Sequence, residues 1–196
     1  MSADTSLAPD TERFAALSPA VRAKIAKVKL LVLDVDGVLT DGGLYYGPDG
    51  GVCKRFNVQD GLGIEIARKS GLLRFAVITG MDKPAVAARL RDLQIDDYFP
   101  GLLDKRESCA TLCDRHGLSL EELAFMGDDW IDIPVMAMVG APLAVGNAQP
   151  ETKDAALYVT RAHGGDGAVR EAVRLILYCK GQLDQVFAAW MQRYSS

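Results

Sequence analysis

Several apolar runs in this chain end in residues able to bind a cation or a phosphoryl group. Asp34 and Asp36 follow KLLVL, Thr79 and Gly80 close RFAVIT, Asp128 and Asp129 follow LAFMG, and Lys105 comes shortly after Tyr98 and Phe99. Runs this short and apolar on both faces predict buried parallel strands. In open α/β sheets, ligands bind beyond the carboxyl ends of such strands. One sheet edge would therefore gather carboxylates, a hydroxyl and an ammonium. Alternation along an extended segment would put Asp34 and Asp36 on the same side. Crowded carboxylates repel unless a cation neutralises them, and all-oxygen ligands without His or Cys suit magnesium better than zinc. Beside such an ion, one carboxylate can attack phosphorus and form an acyl phosphate. A second, two residues on, can protonate the leaving alcohol and later activate water. Thr79 and backbone N–H groups can bind phosphoryl oxygens while Lys105 offsets their charge.

Taken singly, each residue has an ordinary reading: a helix cap for Asp, a turn for Thr79-Gly80, a solvated side chain for Lys105. The order Asp-x-Asp-Gly, Thr-Gly, Lys, Gly-Asp-Asp is what is specific. A regulatory module whose aspartate is phosphorylated without turnover would share much of this set. Asp36 favours a hydrolase, because release of a poor alcohol leaving group needs an acid. A non-catalytic scaffold fits less well, because no catalytic position is lost.

These residues need a frame. Ser18 and Pro19 start a helix expected over 18–28. Strands are expected at 29–33, 74–79, 98–99, 123–126, 142–145 and 157–159. Helices are expected at 60–70, at 82–93 with Asp82 as cap, at 104–116 and 119–122, and at 130–139. Two more are expected at 166–179 and 181–194. Gly47-Pro48-Asp49-Gly50-Gly51 marks the turn of a hairpin flap at about 43–57. Alternating strands and helices predict an α/β, doubly wound, Rossmann-like parallel sheet with no large cap domain. The organisation is then a loose arm over 1–17, one domain over 18–180 and a helical tail over 181–196. On the tail, Leu183, Val186, Phe187, Trp190 and Tyr194 share one face, which packs on its own or a neighbouring subunit, or covers the site.

The 196 residues carry a net charge of −4 and are 49% hydrophobic, which gives a core and no general attraction to nucleic acid or anionic membrane. No run approaches a membrane span and no signal peptide pattern opens the chain, so a cytoplasmic protein is expected. Cys53, Cys109, Cys113 and Cys179 match no zinc spacing and read as unpaired core thiols. His116 reads as a helix-end residue and His163 as a loop residue near the site.

The motifs DVDGVLTD beginning at Asp34, Ile78-Thr79-Gly80, Lys105 and GDDWID beginning at Gly127 resemble the four motifs of the haloacid dehalogenase superfamily of phosphatases, and the resemblance spans about residues 29–180. The short hairpin, FNVQDG beginning at Phe56 and GGDGAVRE beginning at Gly164 are similar to the capless branch containing the 3-deoxy-D-manno-octulosonate 8-phosphate phosphatases. This resemblance implies Asp34 as nucleophile and Asp36 as acid and base, with Mg2+ held by the Asp34 carboxylate, the Asp36 carbonyl and Asp128. Thr79, Gly80 and Lys105 would hold the phosphoryl group. Asp129 and Asp132 would lie outside the direct ligands. Lys54, Asn57, Asp60, Gly164, Gly165 and Arg170 would line the sugar end of the pocket. A homotetramer with hairpins at its centre, acting on a small sugar-acid phosphate, is also implied. Met81, Gln59 and Asp166 stand where the branch often has Arg, so another phosphorylated nonulosonic or related sugar acid stays open as substrate.

Overall fold

The computed structural model describes residues 10–192. Two short helices, α1 (Asp10–Ala16) and α2 (Pro19–Ala26), lead into strand β1 (Leu30–Leu33). A two-stranded hairpin, β2 (Tyr45–Tyr46) and β3 (Val52–Cys53), precedes α3 (Val58–Lys69) and β4 (Arg74–Thr79). Then come α4 (Pro84–Leu93), β5 (Asp97–Pro100), α5 (Arg106–His116), β6 (Leu123–Gly127), α6 (Ile133–Met136) and β7 (Ala141–Ala144). The chain continues through α7 (Pro150–Asp154), β8 (Tyr158–Val159), α8 (Ala168–Cys179) and α9 (Leu183–Gln192).

The main sheet has six strands in the order β5-β4-β1-β6-β7-β8, and its pairings are parallel. From β1 the chain winds outward through β4 to β5, then returns to the other side of β1 with β6. That reversal opens a crevice at the carboxyl end of β1, where such sheets bind ligands. The two-residue period of a strand divides the core. Leu31, Leu33, Val77 and Met126 face α3 and α8, whereas Leu30, Val32, Ile78 and Phe125 face α5 and α6. Both faces are covered, so the strands read as unbroken apolar runs.

Several boundaries differ from expectation. Within the segment expected to be a loose arm, Asp10–Ala16 are helical and Phe14 is fully buried against Tyr158 and Tyr178; residues 1–9 lie outside the described residues. Lys83, not Asp82, precedes α4, whose first turn carries Pro84 and so has one N–H donor fewer to be capped. The helix expected at 130–139 is a 3₁₀ turn, Trp130–Asp132, followed by the four-residue α6. The short helix α7 went unread, since five residues offer little periodicity. Cys109 and Cys113 are core residues as expected, but Cys53 is exposed on the hairpin. On the tail, Val186 is buried while Phe187 is exposed; Tyr194 lies outside the described residues.

Candidate active site

Asp34 leaves β1 in extended geometry, and the chain then turns sharply through Val35–Leu39. Gly37 sits at φ +84°, and a Cβ there would lie 2.0 Å from Asp128 Oδ2. Glycine thus permits both the left-handed turn and the approach of the β6 loop. Although the segment bends after Asp34, Asp34 and Asp36 both border one cleft, as the sequence predicts. The Asp36 carboxylate is paired with the Lys54 ammonium.

The centre of the cluster is Lys105, just before α5, with a fully buried side chain. It donates to Asp34 Oδ1 at 2.7 Å and to Asp132 Oδ1 at 2.6 Å. The other Asp132 oxygen accepts the backbone N–H of Asp128 at 3.0 Å and of Asp129 at 3.4 Å. Both Asp132 oxygens are thereby engaged, and a buried carboxylate bonded in this way orients its neighbours. Asp129 caps the 3₁₀ turn by accepting from Trp130 N at 2.6 Å. Thr79, buried at the end of β4, accepts from Met81 N at 3.3 Å and keeps its hydroxyl hydrogen for another partner.

One oxygen each from Asp34, Asp128 and Asp132 lie within 4.8 Å of one another. Burial, then the neighbouring Asp34, Asp132 and Asp129 charges, push the Asp128 carboxyl up to about 8. Burial and Asp132 likewise raise Asp34 to about 6, against the opposing pull of Lys105. Burial alone would lower the Lys105 ammonium, but Asp34 and Asp132 outweigh it and raise its pKa. The single ammonium leaves negative charge uncompensated, with no ion pair of its own for Asp128 among the described residues. Asp34 and Asp128, hard oxygen donors with spare lone pairs, therefore suit a hard dication. A cleft of about 340 Å³ opens over them, lined by Asp34, Asp36, Thr79, Gly80, Asp128 and Asp129, with Met81, Leu103 and Ile131 on its apolar side. Leu103 and Ile131 carried no sequence signal, since an exposed aliphatic residue in a loop is commonplace.

The residues expected at the sugar end are distributed differently. Asn57 caps α3, accepting from Gln59 N at 2.7 Å and Asp60 N at 3.4 Å. Asp60 is buried and accepts from Gly167 N at 3.3 Å and Arg170 N at 2.7 Å, which anchors the start of α8. Gly164 and Gly165 are buried where the loop before α8 meets the Asp34 loop, and a Cβ on Gly164 would lie 1.6 Å from the Gly37 carbonyl oxygen. Arg170 borders a separate groove with Gln59 and Asp166. In this chain none of these five borders the acidic cleft, and neither does Lys54, which is paired with Asp36. His116 bonds to Asp97 at 2.7 Å, and His163 is exposed.

Comparison with known proteins agrees with this geometry. Residues 95–172 match the haloacid dehalogenase-like hydrolase model. The chain is 43% identical to the 3-deoxy-D-manno-octulosonate 8-phosphate phosphatase of Escherichia coli K12, over 86% of this chain and 89% of that one. It is 39% identical to the Haemophilus influenzae phosphatase of the same name, over 83% and 89%. The crystal structure of the Yersinia pestis phosphatase superposes with a TM-score of 0.83 at 40% identity, over 86% of this chain and 90% of that one. The Moraxella catarrhalis phosphatase, solved with magnesium, phosphate and KDO, gives a TM-score of 0.83 at 35% identity, over 87% and 97%. With the motif order, the sheet topology and the acidic cleft in agreement, the chain belongs to the haloacid dehalogenase-like hydrolases, in the family of 3-deoxy-D-manno-octulosonate 8-phosphate phosphatases.

Proposed function

We propose that this chain is a magnesium-dependent phosphatase that hydrolyses a sugar-acid phosphate through an aspartyl-phosphate on Asp34. The leading substrate is 3-deoxy-D-manno-octulosonate 8-phosphate, supported by the names of the relatives. The observation that carries the reaction is the Lys105 bridge between Asp34 and Asp132, with Asp128 alongside. Asp34, Asp128 and the Asp36 backbone carbonyl would hold Mg2+. When bound, the ion neutralises the crowded carboxylates and the phosphoryl oxygens.

An Asp34 carboxylate oxygen attacks phosphorus, and the bond to the sugar oxygen breaks. Asp36 gives that oxygen its proton. Asp36 then takes a proton from water as the water attacks the aspartyl-phosphate, releasing inorganic phosphate and restoring Asp34. The Thr79 hydroxyl and the backbone at Gly80 bind phosphoryl oxygens, and Lys105 holds Asp34 in line while balancing the charge. Asp132 and Asp129 fix the Asp128 loop. Met81, Gln59 and Asp166 lack the guanidinium groups suited to carboxylate recognition, so a second candidate substrate is another phosphorylated nonulosonic acid.

Assembly and location belong to the same proposal. Tyr45 and Tyr46 are 54% and 69% exposed on the hairpin, an aromatic surface suited to a homotetramer with hairpins at its centre. Among the described residues no helix is long and apolar enough to cross a membrane, and the four cysteines are free, which supports a reducing cytoplasmic setting. The test of function is phosphate release from 3-deoxy-D-manno-octulosonate 8-phosphate, a nonulosonate 9-phosphate and simple sugar phosphates, with and without Mg2+. The octulosonate ester should be turned over fastest, and only with the metal. Equal turnover by Asp34→Asn would overturn the reading.

A further inference from the structure

The hairpin does more than extend the surface. After β3 the chain stays beside the Asp34 loop, tied by an antiparallel bridge between Thr40 and Phe56. Side chains alternate along an extended segment, and they do so here. Phe56 packs against the core, while Arg55 points the other way to Asp41 and to the carbonyl of Gly165. Lys54 turns inward with Phe56, and its side chain is 0% exposed. A buried ammonium requires an anion, and its ion-pair partner among the described residues is Asp36. The bond engages Asp36 Oδ1 and leaves Oδ2. Asp36 borders the cleft and Lys54 does not. Lys54 is thus buried against a carboxylate that itself borders the cleft, and is not part of the cleft lining.

We propose that Lys54 is a positioning residue for the proton-transfer step: it holds the Asp36 carboxylate so that the remaining oxygen meets the leaving-group oxygen. This rests on the phosphatase reading above and departs from the expectation that Lys54 contacts the sugar. It gives the hairpin a chemical task within its own chain, distinct from any role in assembly.

The contribution of an acid depends on how badly the leaving group needs a proton. The test is therefore a series of substituted phenyl phosphates, from p-nitrophenyl to p-methoxyphenyl, which carry no sugar acid. The kcat/KM values of wild type, Lys54→Met, Lys54→Arg and Asp36→Asn are compared. This ratio covers binding through departure of the phenol, so hydrolysis of the aspartyl-phosphate does not enter. Lys54→Met should lose about tenfold more on the p-methoxyphenyl ester than on the p-nitrophenyl ester, in the direction of Asp36→Asn, from an acid worth roughly 10²–10⁴ in rate. Lys54→Arg should recover part of the difference. Because each slope is internal to one preparation, partial misfolding lowers all esters alike and leaves it unchanged. A uniform fall across the series, no fall at all, or a fall confined to the sugar-acid phosphate would each overturn the proposal. An Asp34→Asn protein retaining full activity would instead remove the phosphatase reading beneath it.

Discussion

At the scale of single residues the site is a problem in charge. Asp34, Asp128 and Asp132 crowd together, and the Lys105 ammonium bridges Asp34 and Asp132. Removing one partner of a buried ion pair leaves the others uncompensated, which costs about 3–5 kcal/mol. Lys105→Met should therefore unfold at markedly lower urea concentration than wild type as well as losing activity; an unchanged midpoint would mean the bridge is not formed. Protonation offers a second handle. The Asp34 and Asp128 carboxyls are raised from 3.8 to about 6 and about 8. An acid raised on folding binds its proton more tightly in the native state, so the unfolded chain holds fewer protons over that interval. Metal-free protein should lose stability as pH rises from about 4 through about 8, and Mg2+ should restore more of it at pH 8 than at pH 5. Thermal melts with and without Mg2+ at each pH check this, and a Mg2+ increment that shrinks with rising pH would contradict it. Asp34, Asp128, Thr79 and Lys105 were legible in the sequence, because each ends or follows a buried strand or starts a helix, whereas Asp132 came only with the family motif. The bond from Lys54 to Asp36 was not, because it joins two segments whose approach depends on the hairpin's path.

At the scale of elements, apolar runs and turn signals located the strands of the sheet and the hairpin. What they did not reveal was which motif residues hold elements together. FNVQDG and GGDGAVRE looked like walls of a sugar pocket. In the fold Asn57 caps α3, Asp60 anchors α8, and Gly164 and Gly165 let one loop press on another. Contiguity in sequence does not separate a residue that touches a ligand from one that supports its neighbour. Asp60→Ala leaves the part-buried N–H groups of Gly167 and Arg170 without their acceptor, at roughly 1–3 kcal/mol. Denaturant titration should show that loss while KM for substrate stays near wild type. A raised KM at unchanged stability would return Asp60 to the pocket.

At the scale of the whole molecule, the sheet reversal beside β1 sets the site at one edge, and the hairpin projects its exposed tyrosines from there. A tetrameric mass by light scattering is expected for the wild type, and Tyr45→Ser with Tyr46→Ser should shift it toward smaller species; a monomeric wild type would contradict the assembly proposal. The sequence carried the hairpin's existence through Gly47-Pro48 and Gly50-Gly51, but not its partner, because exposure depends on what the folded chain leaves uncovered. The proposed reaction passes a phosphoryl group through one carboxylate, that of Asp34. The most direct measurement is to quench the Mg2+-loaded protein during turnover of its sugar-acid phosphate, reduce with borohydride and map the peptides by mass spectrometry. Reduction of an acyl phosphate at Asp34, absent without Mg2+, is the predicted result. Phosphate release with the trapped group at another residue, or with none formed on the chain, would contradict it.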